Sequence, residues 1–205
     1  LIIANSNFVR DRIKKYWKRD IESVIYPPVQ IFKGEPKEKR ENYFVSGAPF
    51  EENKGGVFLF ECAKELKFNL KVLGSSSRLN KFKRRYSKVE NIEFLGRVSE
   101  EEKEKILSGA KGYIGTGIED FGIFPVEAMS FGTPVLAYYA GGYLESVIDG
   151  VSGVFFKERN IQSFKEALKV FNGKRWGYIK IQSSVSKFSK ESFKKELERV
   201  ILKNI

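Results

Sequence analysis

The sequence predicts an α/β fold, a parallel sheet with helices packed on both of its faces. Three observations carry this: six short β-branched or aromatic runs, longer amphipathic stretches between them, and short connections. The strand candidates are residues 42–46, 69–73, 92–95, 112–115, 134–137 and 153–156. Helix candidates at 55–66, 79–86, 100–108, 124–131 and 161–171 fall between them. Ser99 followed by Glu100, Glu101 and Glu102 is a capping-box signature that starts the third of these helices. Such alternation is Rossmann-like, and a sheet of this kind places its ligand crevice at the carboxyl ends of the strands, where the strand order reverses.

Both flanks differ from this middle. Residues 1–40 hold one basic helix-like stretch, 9–18, and then Tyr26-Pro27-Pro28, which breaks any helix. Residues 174–205 hold nine Lys or Arg and three acids, with Phe188, Phe193, Leu197, Val200 and Ile201 near helical spacing. The expected organisation is a leading segment and linker over 1–40, a Rossmann-like domain over 41–172 and a helical tail over 173–205. The start at Leu1 without a Met suggests a piece of a longer protein.

Composition narrows the chemistry. The 205 residues suffice for a sizeable core, and 37 Lys+Arg against 26 Asp+Glu give +11. The single Cys62 excludes an internal disulfide framework and a Cys-rich zinc site. With no His, the chain itself supplies no Ser-His-Asp triad, His metal ligand or histidine base. No signal peptide is evident, and the least charged stretch, 121–144, carries Glu127, two Pro and four Gly, which is wrong for a membrane span. A reducing, cytoplasmic compartment is the default. The net charge and the cation-aromatic run from Arg78 to Tyr86 raise nucleic-acid binding, but no nucleic-acid motif accompanies them. An anionic membrane surface is the better-matched partner, and no nucleic acid is expected.

The most informative stretch runs from Gly115 to Val135. A strand ends near Gly115, a Gly-containing loop follows, and Pro125 stands where a helix should begin, with Glu127 near its third position. The amides of Gly122, Ile123 and Phe124 would then surround a helix N-terminus suited to phosphate oxygens. Glu119 before the loop and Glu127 after it can flank one ligand, each carboxylate accepting hydrogen bonds from vicinal hydroxyls. The plainer reading has Glu127 merely complementing the helix dipole and Glu119 solvated, at about even odds on spacing alone. Phe121 and Phe124 add apolar surface, and Gly141-Gly142 closes a second tight loop that allows a ligand close to the backbone.

In order along the chain stand Asn91-Ile-Glu-Phe-Leu-Gly-Arg-Val-Ser, Glu119-Asp-Phe-Gly-Ile-Phe-Pro-Val-Glu127-Ala-Met, Gly132-Thr-Pro-Val, Gly141-Gly-Tyr-Leu-Glu145 and Ile148-Asp-Gly-Val-Ser-Gly153. This series resembles the donor-binding half of family 4 glycosyltransferases over roughly residues 43–156, including the Glu-x7-Glu pattern at Glu119 and Glu127. Ile3-Ala-Asn-Ser-Asn-Phe-Val-Arg-Asp also resembles the segment that leads in from the N-terminal domain. The resemblance implies one half of a GT-B fold and retaining transfer of a hexose from a nucleoside-diphosphate sugar to an acceptor hydroxyl. Surface glycan or lipid-linked oligosaccharide assembly is the implied setting, with the enzyme at the inner face of the membrane. Among members it is most similar to the WbaZ-like mannosyltransferases, which implies GDP-mannose. No metal or other cofactor is implied, and the acceptor-binding N-terminal domain is missing from this chain.

Carried over residue by residue, the resemblance has Glu127 hold the ribose, while Glu119 and the amides near Gly122 and Ile123 meet the hexose and the diphosphate. Phe121 and Phe124 border that loop. Gly47 ends the first strand beside the donor, and the Gly96-Arg97-Val98 turn lies against the nucleobase. Lys54, in Asn53-Lys54-Gly55-Gly56, matches the lysine that contacts the diphosphate and stabilises its developing charge. One departure stands out: Gly47-Ala48-Pro49-Phe50 occupies the place of a second cation, an arginine. Losing one charge-assisted phosphate contact costs roughly 1.5–3 kcal/mol. Arg78 is the substitute within reach in sequence, and a binding-only descendant is the alternative function.

Overall fold

The structure, a computed structural model, describes residues 2–21, 23–47, 55–75 and 79–203. Its first elements are β1 (Ile3–Ala4), α1 (Asn7–Trp17) and β2 (Ser23–Val24), the two strands pairing in parallel. The main sheet then alternates strand and helix: β3 (Phe44–Gly47), α2 (Gly56–Leu66), β4 (Leu70–Leu73), α3 (Leu79–Arg85) and β5 (Ile92–Gly96). It continues with α4 (Glu100–Gly109), β6 (Gly112–Gly115), α5 (Ile123–Ser130), β7 (Val135–Tyr138), α6 (Tyr143–Ser146), β8 (Gly153–Phe156) and α7 (Ile161–Gly173). The chain closes with α8 (Tyr178–Ser184), a 3-10 turn at Ser186–Phe188 and α9 (Lys190–Lys203).

The six predicted strands form one all-parallel sheet in the order β5-β4-β3-β6-β7-β8. Successive strand residues enter opposite cores, as a pleated strand buried on both sides requires. Phe44, Ile114 and Leu136 join Leu59 and Phe60 of α2, Phe82 of α3 and Phe164 of α7. Their neighbours Val45, Tyr113, Val135 and Ala137 join Leu107 of α4, Val126 and Met129 of α5 and Ile181 of α8. Much of the phenylalanine content fills the first core, where the Phe60 ring lies 5.3 Å from Phe82, 5.2 Å from Tyr86 and 5.3 Å from Phe94.

The capping box expected at Ser99 is complete. Ser99 Oγ accepts from the Glu102 amide at 3.2 Å, and Glu102 Oε2 accepts from the Ser99 amide at 3.0 Å. Ser99→Ala is therefore expected to cost about 1 kcal/mol. At this chain length that is a fall of roughly 2–4 °C in the calorimetric melting midpoint.

The tail packs back on the domain. Its apolar stripe does not stand exposed as a patch: Phe188 is 1% and Val200 5% exposed, Phe193 and Leu197 are half-buried, and Ile201 points outward. Helical spacing reveals such a stripe without revealing its cover, and here residues 26–34 lie over part of it. Tyr26 meets Phe188 edge-on at 5.0 Å, and the Val29 amide donates to the Phe188 carbonyl at 2.9 Å. Gln182 Nε2 donates to the carbonyls of Gly34 at 2.8 Å and Ser130 at 3.0 Å, tying α8 to the linker and to α5. Arg40 fastens the end of the linker, donating to the carbonyls of Ser108 and Phe131 and lying 4.5 Å over the Tyr178 ring.

Candidate functional site

The strand order reverses between β3 and β6, so their carboxyl ends, Gly47 and Gly115, mark the switch point. A Cβ on Gly47 would stand 3.0 Å from the Phe124 ring, so the missing side chain lets the first turn of α5 approach β3. α5 starts at Ile123, with Gly122 as its N-cap at φ 85° and no side chain capping it. Pro125 is therefore the third helical residue and Glu127 the fifth, two residues further in than the sequence suggested. The reason is that the left-handed Gly122 turns the chain into the helix early, and a first-turn proline is tolerated because its amide would have no intrahelical acceptor. The helix leaves the amides of Gly122, Ile123 and Phe124 without acceptors of its own.

A cleft of about 370 Å³ opens here. Six predicted residues line it, Gly47, Glu119, Phe121, Gly122, Ile123 and Phe124, together with Asn5, Pro27, Tyr113, Asp120 and Pro125. Tyr113 forms part of the floor, its ring 5.6 Å from Phe124. Its hydroxyl stands near the Gly47 amide and the hydroxyls of Tyr143 and Ser46, the last of which donates to the Ile114 carbonyl at 2.8 Å. Tyr143 reaches it over Gly115, where a Cβ would lie 2.4 Å from the Tyr143 hydroxyl. Burial raises the pKa of both phenols, and the negative charge of half-buried Glu119 adds to the effect, so both keep their protons.

The Gly141-Gly142 loop packs against the chain itself. Its close neighbour is the 119–121 backbone: the Gly142 amide donates to the Glu119 carbonyl at 2.8 Å. A Cβ on Gly141 would stand 2.4 Å from the Glu119 carbonyl oxygen, and one on Gly142 would stand 2.3 Å from Phe121 backbone atoms. The glycines make room for the Glu119 loop and fix its position.

Glu127 does not line that cleft. It faces a neighbouring hollow of about 420 Å³ with Gln30, Glu100, Lys103, Glu104, Phe131 and Lys190. Its Oε1 lies 3.3 Å from Lys103 Nζ, which also pairs with Glu100 at 2.8 Å. Burial raises the Glu127 pKa, with the Lys103 charge and hydrogen bond opposing it and Glu100 reinforcing it. Gly96, at φ 74°, begins the turn before α4; Arg97 Nε donates to Ser75 Oγ at 2.9 Å, and Val98 packs on the second core. Lys54, Ala48, Pro49, Phe50 and Arg78 lie outside the described residues.

Among the described residues no cluster of His, Cys, Asp and Glu is placed to hold a metal, and no helix is long and apolar enough to cross a membrane. Cys62 is buried and its thiol pKa is pushed up to about 12, chiefly by that burial, so it stays a packing residue. A larger hollow of about 860 Å³, between Glu35, Val151 and Trp176, lies at the amino ends of the strands, away from the switch point.

The sequence matches the family model described as Glycosyl transferases group 1 over residues 29–173. The chain belongs to that family. Its sheet and helices are a Rossmann-like half of the GT-B architecture. Among curated relatives, this glycosyltransferase domain is 28% identical to an uncharacterized glycosyltransferase of Methanocaldococcus jannaschii, covering 76% of this chain and 47% of that protein. It is 30% identical to the alpha-1,3/1,6-mannosyltransferase ALG2 of Dictyostelium discoideum, covering 83% of this chain and 38% of that protein. The chain thus spans less than half the length of these relatives. In fold it is similar to the lipopolysaccharide outer core galactosyltransferase WaaB, with a TM-score of 0.80 at 21% identity, over 99% of this chain and 62% of that one. It is also similar to Anabaena HepE in complex with UDP-glucose, with a TM-score of 0.82 at 18% identity, over 99% of this chain and 64% of that one.

The glycosyltransferase domain holds its site by contacts that the sequence did not signal. Glu145 of α6 accepts the Asn7 amide at 2.9 Å, Asn7 Nδ2 at 2.7 Å and the Tyr26 hydroxyl at 3.1 Å on one oxygen, and the Phe8 amide at 2.9 Å on the other. Ser6 Oγ accepts from the Val9 amide at 3.0 Å and donates to the Asp120 carbonyl at 2.6 Å. Arg12 pairs with the Asp120 carboxylate at 2.9 Å. The first turn of α1 is therefore capped by the domain and holds the loop beside Glu119. The one local clue was Asn5-Ser6-Asn7, a run of N-cap residue types.

Proposed function

We propose that this chain is the donor-binding domain of a retaining glycosyltransferase that moves a hexose, mannose in the first instance, from a nucleoside-diphosphate sugar to an acceptor hydroxyl. The observation that carries the reading is the cleft at the switch point, where Glu119, Gly47 and the N-terminus of α5 meet. Relatives named as mannosyltransferases and a structural neighbour crystallised with UDP-glucose support it. The diphosphate lies against the amides of Gly122, Ile123 and Phe124, with Lys54 as its cation, and the hexose sits at Glu119. Glu127 takes the ribose, and the Gly96-Arg97-Val98 turn takes the base. In the reaction the bond from the anomeric carbon to the β-phosphate oxygen breaks, a bond to the acceptor oxygen forms, and the acceptor hydroxyl's proton passes to the departing diphosphate. Negative charge grows on the departing diphosphate, where fixed amides and a cation stabilise it most. No metal is assigned a part. The acceptor, lipid-linked in this reading, is held by a second domain at the cytoplasmic membrane face.

Calorimetric titration with GDP-mannose, GDP, UDP-glucose and UDP-N-acetylglucosamine tests the reading. One nucleotide sugar should bind saturably, and Glu127→Ala should weaken it by at least about tenfold, since hydrogen bonds to a charged acceptor are lost. Equal binding by wild type and Glu127→Ala would remove Glu127 from the donor site. Transfer assayed after joining this chain to an N-terminal half separates a transferase from a domain that only binds.

A further inference from the structure

The hollow around Glu127 carries an arrangement that the reading above leaves unexplained. Glu127 is a half-buried carboxylate, 17% exposed in its side chain, on the second turn of α5. Lys103, projecting from α4, is 20% exposed and places its Nζ 3.3 Å from Glu127 Oε1 and 2.8 Å from Glu100 Oε2. These two partners differ greatly, because Glu100 is 88% exposed. A pair that open to water contributes little, whereas the low-exposure contact with Glu127 is scarcely screened. The charges facing Glu127 are Lys103, Glu100 and Glu104 from α4 and Lys190 from α9, with neutral Gln30 from the N-terminal segment. Lys103 is the cation that contacts it directly, and the charge of Glu100 opposes its ionisation.

We propose that Lys103 is a positioning residue for the donor: it keeps the Glu127 carboxylate ionised and turned so that it accepts hydrogen bonds from the two vicinal hydroxyls of the ribose. The inference rests on the assignment of Glu127 to the ribose and adds the group that makes that assignment work near neutral pH. A protonated carboxyl keeps a single good acceptor and loses the charge that strengthens both hydrogen bonds. Burial already raises the Glu127 pKa, and Lys103 is the largest influence holding it down. Removing a cation at this distance raises a carboxylate pKa by roughly 1–3 units. The folded-state value then moves up towards the working range, and affinity present at high pH is lost as pH falls through it.

The test is calorimetric titration of the 205-residue chain with its preferred nucleotide sugar from pH 5.5 to 8, for wild type, Lys103→Met, Lys103→Arg and Glu127→Ala. A nucleotide sugar is used because its diphosphate is esterified at both ends and does not titrate in this range, unlike the terminal phosphate of GDP. Wild type and Lys103→Arg should give nearly flat profiles. Lys103→Met should bind within a few-fold of wild type at pH 8 and lose affinity by about tenfold per pH unit below the raised pKa. With the 2′-deoxy nucleotide sugar this loss should shrink. A Lys103→Met profile as flat as wild type overturns the inference while leaving the donor site standing. Loss of Lys103→Met binding at every pH, with Lys103→Arg normal, also overturns it, in favour of direct contact with the ligand. No binding by wild type overturns the donor-site reading itself, and the inference with it.

Discussion

Glu145→Ala releases the N-terminal helix from the domain. The carboxylate accepts the amides of Asn7 and Phe8, the first two residues of α1, and also Asn7 Nδ2 and the Tyr26 hydroxyl. Its negative charge stands at the positive end of the helix dipole, so charge and hydrogen bonding act together. Taking it away leaves two first-turn amides without their acceptor, and the half-buried setting makes water a partial substitute at best. The expected cost is about 3 kcal/mol. For a domain of this length that is a fall of roughly 6–12 °C in the melting midpoint. Hydrogen exchange should show the amides of Asn7, Phe8 and Val9 losing protection while the strands of the main sheet keep theirs. Glu145→Gln retains one acceptor oxygen and should recover about half of the loss. Unchanged exchange in α1 with Glu145→Ala would refute this account of how the segment is held.

Gly142→Ala should be comparably damaging for a purely steric reason. Gly142 has φ −63°, which any residue adopts, so the backbone places no demand for glycine there. The demand comes from the missing Cβ, which would stand 2.3 Å from both the Cα and the carbonyl oxygen of Phe121. Backbone cannot rotate aside as a flexible side chain does. Phe121 is itself buried, its ring 5.5 Å from Tyr26 and 5.1 Å from Phe188. The loop that carries Glu119 must therefore move, at a cost of about 3 kcal/mol. With the cleft as the proposed donor site, nucleotide-sugar affinity should fall by tenfold or more, because that loop lines it. Gly173→Ala is the control: a Cβ there meets nothing within 4 Å, at the end of α7. That substitution should be neutral or slightly stabilising. Equal melting midpoints for the two variants would show that the 119–121 loop relaxes freely.

The middle of the fold was legible because its strands are buried on both faces and its helices on one. Runs such as Phe44–Gly47 and Gly112–Gly115 therefore differ sharply in pattern from the stretches between them. β1 and β2, with two residues each, and α6, with four, are too short for any period to accumulate. α8 was not separated within the expected helical tail because only Ile181 of its residues is buried, and its anchor is the amide of Gln182 reaching loop carbonyls. In the site, glycine and proline punctuation exposed the 119–124 loop, since those residues fix backbone shape locally. Tyr113, Lys103 and Glu145 left no such trace. A phenol within an apolar strand reads as packing until the partner of its hydroxyl is known. Glu145 and Asn7 are 138 positions apart, and Lys103 and Glu127 are 24 apart, so no local spacing links either pair.

The Ser6 hydroxyl does two things at once: it caps α1 and grips the Asp120 carbonyl. For the loop to swing away from the cleft, that hydroxyl must surrender one bond or the helix must lose its cap. Either event costs about 1 kcal/mol before Arg12 and the Gly142 amide are counted, so together they keep the open loop a small minority. A ligand entering the cleft thus meets a surface whose ordering entropy was already lost when the chain folded. Less of its contact energy goes into rearranging the protein, and more is left for affinity and orientation.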